Sequence, residues 1–300
     1  MSGDFIQGGN RDRIGMPPGR NGRYAGIFLW ADLDGTLLTP ERTLPPENLE
    51  AIAAFQAQGG RFGIATGRME KSTSANFPSL VTNLPCIFYN GALIGWHPDG
   101  TALRSVFLSQ DPSRMLDVAI RACPEIGVEV LSAGKAWMVR RNAALEGQLA
   151  RERLDAVDAS WTDIPAGWFK VLVGGEPEML AEVTRLLAPM AAGRFDLVRS
   201  EETLLEVLQP GVSKGDAVRW ITTRAQPSPA RIVAVGDNDN DADMLAFADI
   251  GIAMANGSAA AKAAAAMTIA DNRTPCMPAV LAAIDAAVDA AVPDRKSTVP

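Results

Sequence analysis

The chain has 300 residues, a formal net charge of −7 and a sequence pI near 4.9. This acidity argues against a nucleic-acid-binding protein, because binding to a phosphate backbone requires a basic face. No apolar run reaches the roughly 18–20 residues needed to span a bilayer. The N-terminal segment also lacks the apolar centre of a secretory signal. We therefore expect a cytoplasmic protein without a membrane partner.

The cysteine and histidine content excludes several classes of metal and redox site. Cys86, Cys123 and Cys276 are widely spaced, and His97 is the single histidine. This pattern fits neither a zinc site nor a disulfide framework. It also excludes mechanisms that need a pair of histidines.

Short apolar runs alternate with helical stretches along most of the chain. Residues 1–23 are rich in Gly, Arg and Pro, and we expect them to form a disordered extension. The runs and the polar clusters that follow them are IFLWA before DLDGT, RFGIA before TGR, CIFY before NGA, RIVAV before GDNDND, and IGIAM before ANG. Such alternation predicts an α/β fold, a Rossmann-like doubly wound parallel sheet with helices on both faces.

The middle of the chain has a different pattern. Residues 109–203 predict a mixture of helices and adjacent strands, which we interpret as an inserted α+β domain. The core would then comprise residues 24–108 and 204–292, with the core strands resuming near Leu205. Residues 293–300 are expected to form a flexible tail.

The polar clusters lie where the core strands end, and this placement points to one site. In a parallel α/β sheet, ligands bind outside the carboxyl ends of the strands. Asp32, Thr66, Asn90 and Asp237 should therefore converge on one edge of the sheet.

The acids in these clusters predict a magnesium site and phosphoryl-transfer chemistry. Asp32, Asp34, Asp237 and Asp241 offer hard oxygen ligands without a histidine or cysteine, a donor set that favours Mg²⁺. One carboxylate could attack phosphorus as a nucleophile. A second carboxylate, two residues on in an extended segment, could serve as general acid and base. Thr66 could supply a hydroxyl and a backbone N–H to the phosphate.

A lysine at a predicted helix start could add a positive charge to the same site. Lys214 lies in GVSKGDAV, and Ser213 before it is a suitable residue to cap the helix.

Four segments resemble the motifs of one known family. DLDGT, ATGR, VSKGDAV and GDNDNDADML, in this order, resemble the four motifs of the haloacid dehalogenase superfamily of phosphohydrolases. NGA, the long insertion after it and GIAMANG resemble the Cof-type branch, in which an α/β cap is inserted between the second and third motifs. The resemblance extends from Tyr24 to about Val288. It weakens after IADN, where RTPCM replaces the acidic-glycine-valine pattern that is common in the family.

The resemblance implies a role for each matching residue. Asp32 would be the nucleophile and a metal ligand, and Asp34 would be the general acid/base, with its carbonyl on the metal. Asp237 would bind the metal, with Asp241 as a partner that often acts through water. The positions that would contact phosphate are Thr66, Gly67, Lys214 and Asn240. Asp239 and Asp243 receive no role.

The resemblance also implies a Mg²⁺-dependent phosphatase acting on a small phosphomonoester, such as a sugar phosphate or pyridoxal phosphate. The candidates for contact with the rest of the substrate are Arg68, Asn90, Trp137, Arg140, Arg141, Arg199, Ser200 and Glu201, although Trp137 is also a suitable core residue. A phosphomutase or phosphotransferase acting on sugar phosphates is an alternative, as is a non-catalytic protein that binds a phosphorylated ligand. Intact motif residues argue against the last of these. The protein is expected to be a monomer or a homodimer.

Overall fold

The computed structural model describes residues 13–17 and 20–290. The strands are β1 (Ile14–Gly15), β2 (Ile27–Ala31), β3 (Arg61–Ile64), β4 (Cys86–Phe88), β5 (Leu93–Gly95), β6 (Ala102–Ser105), β7 (Gly127–Ser132), β8 (Lys135–Arg140), β9 (Ala156–Asp158), β10 (Trp168–Gly174), β11 (Asp196–Glu201), β12 (Leu204–Leu208), β13 (Ala225–Gln226), β14 (Arg231–Gly236), β15 (Ile250–Met254) and β16 (Met267–Ile269). The helices are α1 (Pro46–Ala57), α2 (Glu70–Asn76), α3 (Ser113–Ala122), α4 (Ala143–Glu152), α5 (Pro177–Ala191), α6 (Lys214–Arg224), α7 (Ala242–Phe247), α8 (Ala259–Ala264) and α9 (Met277–Ala290).

The core is a parallel sheet of five strands in the order β16-β15-β14-β2-β3. Strand β2 is buried along its whole length, as expected for a central parallel strand covered on both faces. Its alternate residues enter two apolar layers: Leu29 packs with α1 and α9, whereas Phe28 and Trp30 pack with α6, α7 and α8. This arrangement confirms the predicted doubly wound α/β fold.

The inserted region forms a second sheet of six strands, in the order β11-β12-β10-β7-β8-β9. Helices α3 and α5 pack on one face of this sheet, and α4 lies on the other face. The α+β character expected for the insertion is therefore present. We call this region the cap.

The expected end of the cap at residue 203 needs a correction. Strand β12 was assigned to the core, but it pairs with β10 and β11 in the cap sheet, with Val207 opposite Val171. An apolar run such as LLEVL fits either sheet, and only its antiparallel register with β10 decides between them. In the structure, the core resumes after this strand.

The N-terminal prediction is also corrected in part. Residues Ile14–Gly15 form a short parallel pairing with Ala225–Gln226, and Arg23 makes ion pairs with Asp285 and Asp289 of α9. These parts of the segment are ordered, contrary to the expected disorder. Residues 1–12, 18–19 and 291–300, which include the expected flexible tail, lie outside the described residues. Among the described helices, none has the length and apolar character needed to cross a bilayer.

Candidate active site

The first candidate catalytic residue follows the central strand β2. The backbone N–H of Asp32 donates to Val235 O at 3.0 Å, which continues the parallel pairing with β14 and fixes the residue at the sheet edge. Its Oδ1 accepts a hydrogen bond from Lys214 Nζ at 2.7 Å. Its Oδ2 accepts no hydrogen bond from the described residues. The second oxygen is therefore available to a ligand in the cavity that Asp32 lines.

The ammonium group of Lys214 bridges two of the predicted acids, Asp32 and Asp241. Its Nζ lies 2.7 Å from Asp32 Oδ1 and 2.7 Å from Asp241 Oδ1, and all three side chains are buried. Burial alone would lower the pKa of Lys214, but Asp241 and Asp32 outweigh it and raise the pKa above its ordinary value. The ammonium group therefore stays charged. It contacts the acids, and Lys214 is not among the residues that line the cavity. Its contact with phosphate stays a prediction.

The position of Lys214 follows from how α6 begins. Ser213 caps the helix as predicted, with its Oγ accepting from Asp216 N at 3.0 Å. Asp243, which had no predicted role, accepts the N–H of Gly215 at 3.2 Å with both carboxylate oxygens. A Cβ on Gly215 would lie 2.7 Å from that carboxyl group. Because Gly215 has no side chain, the start of α6 can lie close to α7, and Lys214 can therefore reach the acids.

Three acids of the site form a group that could hold a metal ion. Asp32, Asp237 and Asp241 each offer a carboxylate oxygen, and these oxygens lie within 4.8 Å of one another. Burial and then the charge of Asp241 raise the pKa of Asp237 to about 7. Burial likewise raises the pKa of Asp32 well above its ordinary value, against the opposing effect of Lys214. A donor set of hard oxygens that repel one another fits a divalent cation such as Mg²⁺.

A glycine permits this close approach. Gly35 has φ +80°, and a Cβ at that position would lie 2.3 Å from Asp237 Oδ2. Thr36, next to it, donates from Oγ1 to Asp237 Oδ1 at 3.0 Å. The DxDGT sequence thus provides the two acids, the space for Asp237 and a hydroxyl that orients it. Residues Leu33–Leu37 form a wide turn, within which Asp34 keeps extended backbone angles (φ −74°, ψ 123°), as does Asp32 before it (φ −69°, ψ 162°).

Asp34 is held by two arginines. Arg68 donates from Nε to Oδ2 at 2.6 Å and from Nη2 to Oδ1 at 2.7 Å, and Arg42 donates from Nη1 to Oδ1 at 2.9 Å. Burial would raise the pKa of Asp34, but the hydrogen bonds and charge of Arg68, together with Arg42, lower it below its ordinary value. Arg42 was not predicted as a site residue. It lies in the turn after DLDGT, where an arginine in TPERT resembles an ordinary surface residue.

The predicted phosphate positions lie at the same edge of the sheet. Thr66 and Gly67 line the cavity, but the backbone N–H of Thr66 donates to Ile87 O at 2.8 Å, so only its hydroxyl remains as a phosphate donor. Asn240 also lines the cavity and donates to Asn90 Oδ1 at 2.9 Å. Asn90 is buried and donates to Glu206 Oε2 at 2.8 Å. We interpret Asn90 as a positioning residue rather than a substrate contact.

The cavity has a volume of about 240 Å³ and lies between the core and the cap. Its cap residues are Gln148, Glu152, Lys170, Leu172, Ser200, Glu201, Leu204 and Glu206. Of these, only Ser200 and Glu201 were candidates from the sequence. Lys170 and Glu206 form a buried ion pair of 2.8 Å. A charged residue inside an apolar run, as in WFKVLVG and LLEVL, is the signal that could have identified them.

Two predicted specificity residues lie elsewhere. Arg141 makes exposed ion pairs with Glu146 and Asp158, and neither Arg140 nor Arg141 lines the cavity. Arg199 does not line it either. Arg140 ends strand β8, Arg141 follows it, and Arg199 lies within β11. The position of such residues relative to the core cannot be deduced from a local run such as VRR. Arg68, by contrast, lines the cavity as expected.

Comparison with known proteins supports the class that this geometry indicates. The sequence model of the haloacid dehalogenase-like hydrolase family matches residues 29–276. A putative phosphatase of Haemophilus influenzae is 26% identical over 223 residues, which cover 72% of this chain and 80% of the relative. The 5-amino-6-(5-phospho-D-ribitylamino)uracil phosphatase YbjI of Escherichia coli is 26% identical over 213 residues, 69% of this chain and 76% of its own.

A solved structure shares the fold. A haloacid dehalogenase-like hydrolase from Bacteroides thetaiotaomicron superposes with a TM-score of 0.76 at 22% sequence identity, covering 87% of this chain and 99% of that one. The chain belongs to the haloacid dehalogenase-like hydrolase family. The phosphatase names of its relatives confirm the enzyme class expected from the motifs, a phosphoric monoester hydrolase.

Proposed function

We propose that the chain is a Mg²⁺-dependent phosphatase that hydrolyses a small phosphomonoester, a sugar phosphate or similar metabolite, through an aspartyl-phosphate on Asp32. The observation that carries the proposal is the group formed by Asp32, Asp237 and Asp241 around the buried Lys214 ammonium. Such a group at the carboxyl edge of a parallel sheet combines a nucleophile with the charge needed to admit a phosphate dianion.

The nucleophilic step uses the free oxygen of Asp32. Lys214 holds Oδ1, which orients the carboxylate and leaves Oδ2 directed to the substrate. Attack of Oδ2 on phosphorus forms the aspartyl-phosphate and releases the alcohol; water then attacks the phosphorus and frees Asp32. Phosphoryl transfer of this kind depends mainly on in-line positioning and charge stabilisation.

Asp34 would move the proton in both steps. It protonates the leaving alkoxide in the first step and takes a proton from water in the second. Because Arg68 and Arg42 occupy both of its oxygens, the substrate must displace part of this contact before Asp34 can donate. The two arginines would then remain beside the reacting group as donors for the phosphate oxygens.

The metal would be held by Asp32 and Asp237, with the carbonyl of Asp34 as a further ligand. Both oxygens of Asp241 already accept from protein donors: Oδ1 from Lys214, and Oδ2 from the N–H groups of Asp237 and Asn238 at 3.0 Å. Asp241 therefore suits the partner role that acts through water. When bound, Mg²⁺ supplies positive charge that lets a phosphate dianion approach a carboxylate.

The proposed substrate is small and phosphorylated because the cavity is small and partly closed by the cap. Its volume of about 240 Å³ suits a single sugar-sized molecule, and most of the cap side chains that line it are polar or charged. The cap would exclude water around the reacting group and contact the alcohol portion of the substrate. We also propose that the core and the cap are the two domains of this enzyme.

The test is phosphate release from a panel of phosphorylated metabolites, with Mg²⁺ and with EDTA. We expect metal-dependent release that Asp32→Asn reduces by several orders of magnitude, as removal of a nucleophile does in other hydrolases. Asp239→Asn is the matched control, since Asp239 is an exposed acid of the fourth motif. Full activity of Asp32→Asn would show that the nucleophile is assigned wrongly. Addition of sugar acceptors and analysis of the products distinguishes hydrolysis from transfer to a second hydroxyl.

A further inference from the structure

A second cavity lies beside the candidate active site, at the junction of cap and core. Its volume is about 470 Å³. The charged side chains that line it are four arginines, Arg42, Arg68, Arg151 and Arg153, and one carboxylate, Glu41. Arg42 and Arg68 also line the active-site cavity, so the two cavities share a wall. We call the second one the arginine cavity.

Two of these arginines have buried nitrogens without a partner. Among the described residues, the buried side-chain nitrogens without a hydrogen-bond partner are Arg68 Nη1, Arg151 Nε and His97 Nε2, and the two arginines line the arginine cavity. Unsatisfied buried donors are rare and costly, and those of a charged group are the most costly. Their occurrence on one cavity indicates that an acceptor belongs there.

The geometry of Arg68 directs its unpartnered nitrogen away from the active site. Nε and Nη2 form the edge of the guanidinium that holds Asp34, so Nη1 is on the remaining side of the planar group. The guanidinium lies over the ring of Phe77, which lines the arginine cavity, with 5.5 Å between Cζ and the ring centroid. Arg68 is only 3% exposed, and Phe77 packs against it, which holds the group in this orientation.

The carboxylates near the arginines leave part of their charge uncompensated. Glu201 accepts from Arg151 Nη2 at 2.7 Å and lies 4.0 Å from Arg42 Nη2. Arg153, at the end of α4, makes no ion pair with the described residues. Glu41 also lines the cavity, and the charge of Glu152 acts on Arg68. An anion in the cavity would therefore meet four guanidinium groups against these carboxylates, together with the two unpartnered arginine nitrogens.

The end of α4 lines the arginine cavity, and two of its last carbonyls accept hydrogen bonds from protein donors. Its last carbonyls carry the negative end of the helix dipole, which would repel an anion if left open. Ala150 O accepts from Arg153 N at 3.3 Å, and Glu152 O accepts from Ser72 Oγ at 3.0 Å and from Asn76 Nδ2 at 2.7 Å. These carbonyls are therefore already satisfied by protein donors.

We propose that the arginine cavity binds an oxyanion, a phosphate or carboxylate group, at a subsite separate from the reacting phosphate. Arg68 and Arg42 form the common wall, so an anion bound there contacts the residues that hold Asp34. The oxyanion can be a second anionic group of the substrate or a separate small anion, since both present the same acceptor oxygens to the arginines.

The first experiment measures binding of radiolabelled orthophosphate to the full chain by equilibrium dialysis in the presence of Mg²⁺. We expect the double variant Arg151→Gln/Arg153→Gln to bind one equivalent fewer than the wild-type protein. Arg121→Gln, at an exposed position on α3 in the cap, is the matched control and should bind as the wild type does. Equal stoichiometry in the double variant and the wild type would overturn the proposal. Since the readout needs no turnover, it is independent of whether the protein is a phosphatase.

Two further measurements guard against misfolding and identify the source of the anion. The double variant Arg151→Lys/Arg153→Lys keeps both positive charges and should bind as many equivalents of orthophosphate as the wild type. If this variant has a native circular dichroism spectrum but binds one equivalent fewer, the result counts against the site. Fructose 6-phosphate and fructose 1,6-bisphosphate then serve as a matched substrate pair. A fall of about tenfold in kcat/KM for the bisphosphate alone in the Gln double variant identifies the anion as part of the substrate, and an unchanged ratio identifies it as a separate anion.

Discussion

Arg68 binds both carboxylate oxygens of Asp34, with Nε 2.6 Å from Oδ2 and Nη2 2.7 Å from Oδ1. A bidentate contact of this kind favours the ionised form of the carboxyl group. The contact outweighs the effect of burial, and the pKa of Asp34 lies below its ordinary value. A general acid, however, must carry a proton when the leaving group departs. In the proposed mechanism, the Arg68–Asp34 pair therefore sets the pH above which the first step slows.

The first prediction concerns the pH dependence of activity in Arg68→Gln. Loss of the guanidinium should raise the pKa of Asp34, because the hydrogen bonds and charge of Arg68 are the main causes that lower it. In a profile of kcat/KM against pH, a step that needs protonated Asp34 falls as the pH rises through this pKa. The descending limb should therefore move to higher pH, even though the maximum rate decreases. An unmoved limb, with Arg121→Gln as the control, would mean that Asp34 does not supply the proton.

The second prediction concerns stability in Lys214→Gln. Lys214 is charged and compensates two buried carboxylates, and removal of one partner of a buried ion pair typically costs about 3–5 kcal/mol. We expect a decrease of this size in the free energy of unfolding, measured by urea denaturation in EDTA. Mg²⁺ should restore part of it, because the ion would compensate the same acids. The exposed Lys262, changed to Gln, should have little effect, and a similarly small effect at Lys214 would contradict the charge assignment.

The sequence predicts the core of the site because the chemistry is contained in short segments. Two of its residues, Asp32 and Asp237, directly follow an apolar run, and Lys214 lies at a helix start. Parallel strands bring the residues that follow them to one edge of the sheet. The fold class was predictable for the same reason. The boundary at β12 was not, because local sequence does not specify which sheet an apolar strand joins.

The cap wall of the cavity was missed for a geometric reason. Lys170 on β10 and Glu206 on β12 lie on the face of the cap sheet that lines the cavity. This face becomes a cavity wall only because the cap packs against the core. Consecutive arginines such as Arg140 and Arg141 are conspicuous in a sequence, but such pairs at the end of a strand are usually solvated. A single charge within an apolar run is a better indicator, since burial of an unpaired charge is costly.

The third prediction concerns the buried acid Glu129 of the cap. The side chain is fully buried, and neither carboxylate oxygen has a hydrogen-bond partner among the described residues. Burial, and then the charge of Glu152, raises the pKa of Glu129 from 4.5 to about 8. The charge of Glu146 raises this pKa further, and the charges of Lys170 and Arg141 lower it. Between these two values the folded state keeps a proton that the unfolded chain releases, so stability falls as the pH rises.

Glu129→Gln should remove this dependence, because the amide is neutral at every pH in this range. The variant should gain stability relative to the wild type as the pH rises towards 8, by at most about 1.4 kcal/mol for each pH unit. Urea unfolding at a series of pH values measures the difference. Glu125→Gln, at an exposed position just before β7, is the control. A difference that does not vary with pH would show that Glu129 is ionised in the folded protein.

The fourth prediction concerns the contact between cap and core made by Lys170 and Glu206. Lys170 Nζ donates to Glu206 Oε1 at 2.8 Å and to the backbone oxygen of Gly67, in the turn after β3, at 3.0 Å. Asn90 of the core donates to the other oxygen of Glu206 at 2.8 Å. The pair thus links one cap strand to another and both to the core loops that carry the site.

A double-mutant cycle should reveal strong coupling within this pair. Lys170→Met leaves the buried Glu206 carboxylate with Asn90 as its partner, and Glu206→Gln leaves a buried ammonium group, so each change alone should cost about 3–5 kcal/mol. The double variant should cost less than the sum, because neither charge remains uncompensated. Urea unfolding of the four proteins gives the coupling free energy. Simple additivity would mean that the two charges are screened by solvent, as they would be if the cap were lifted from the core in solution.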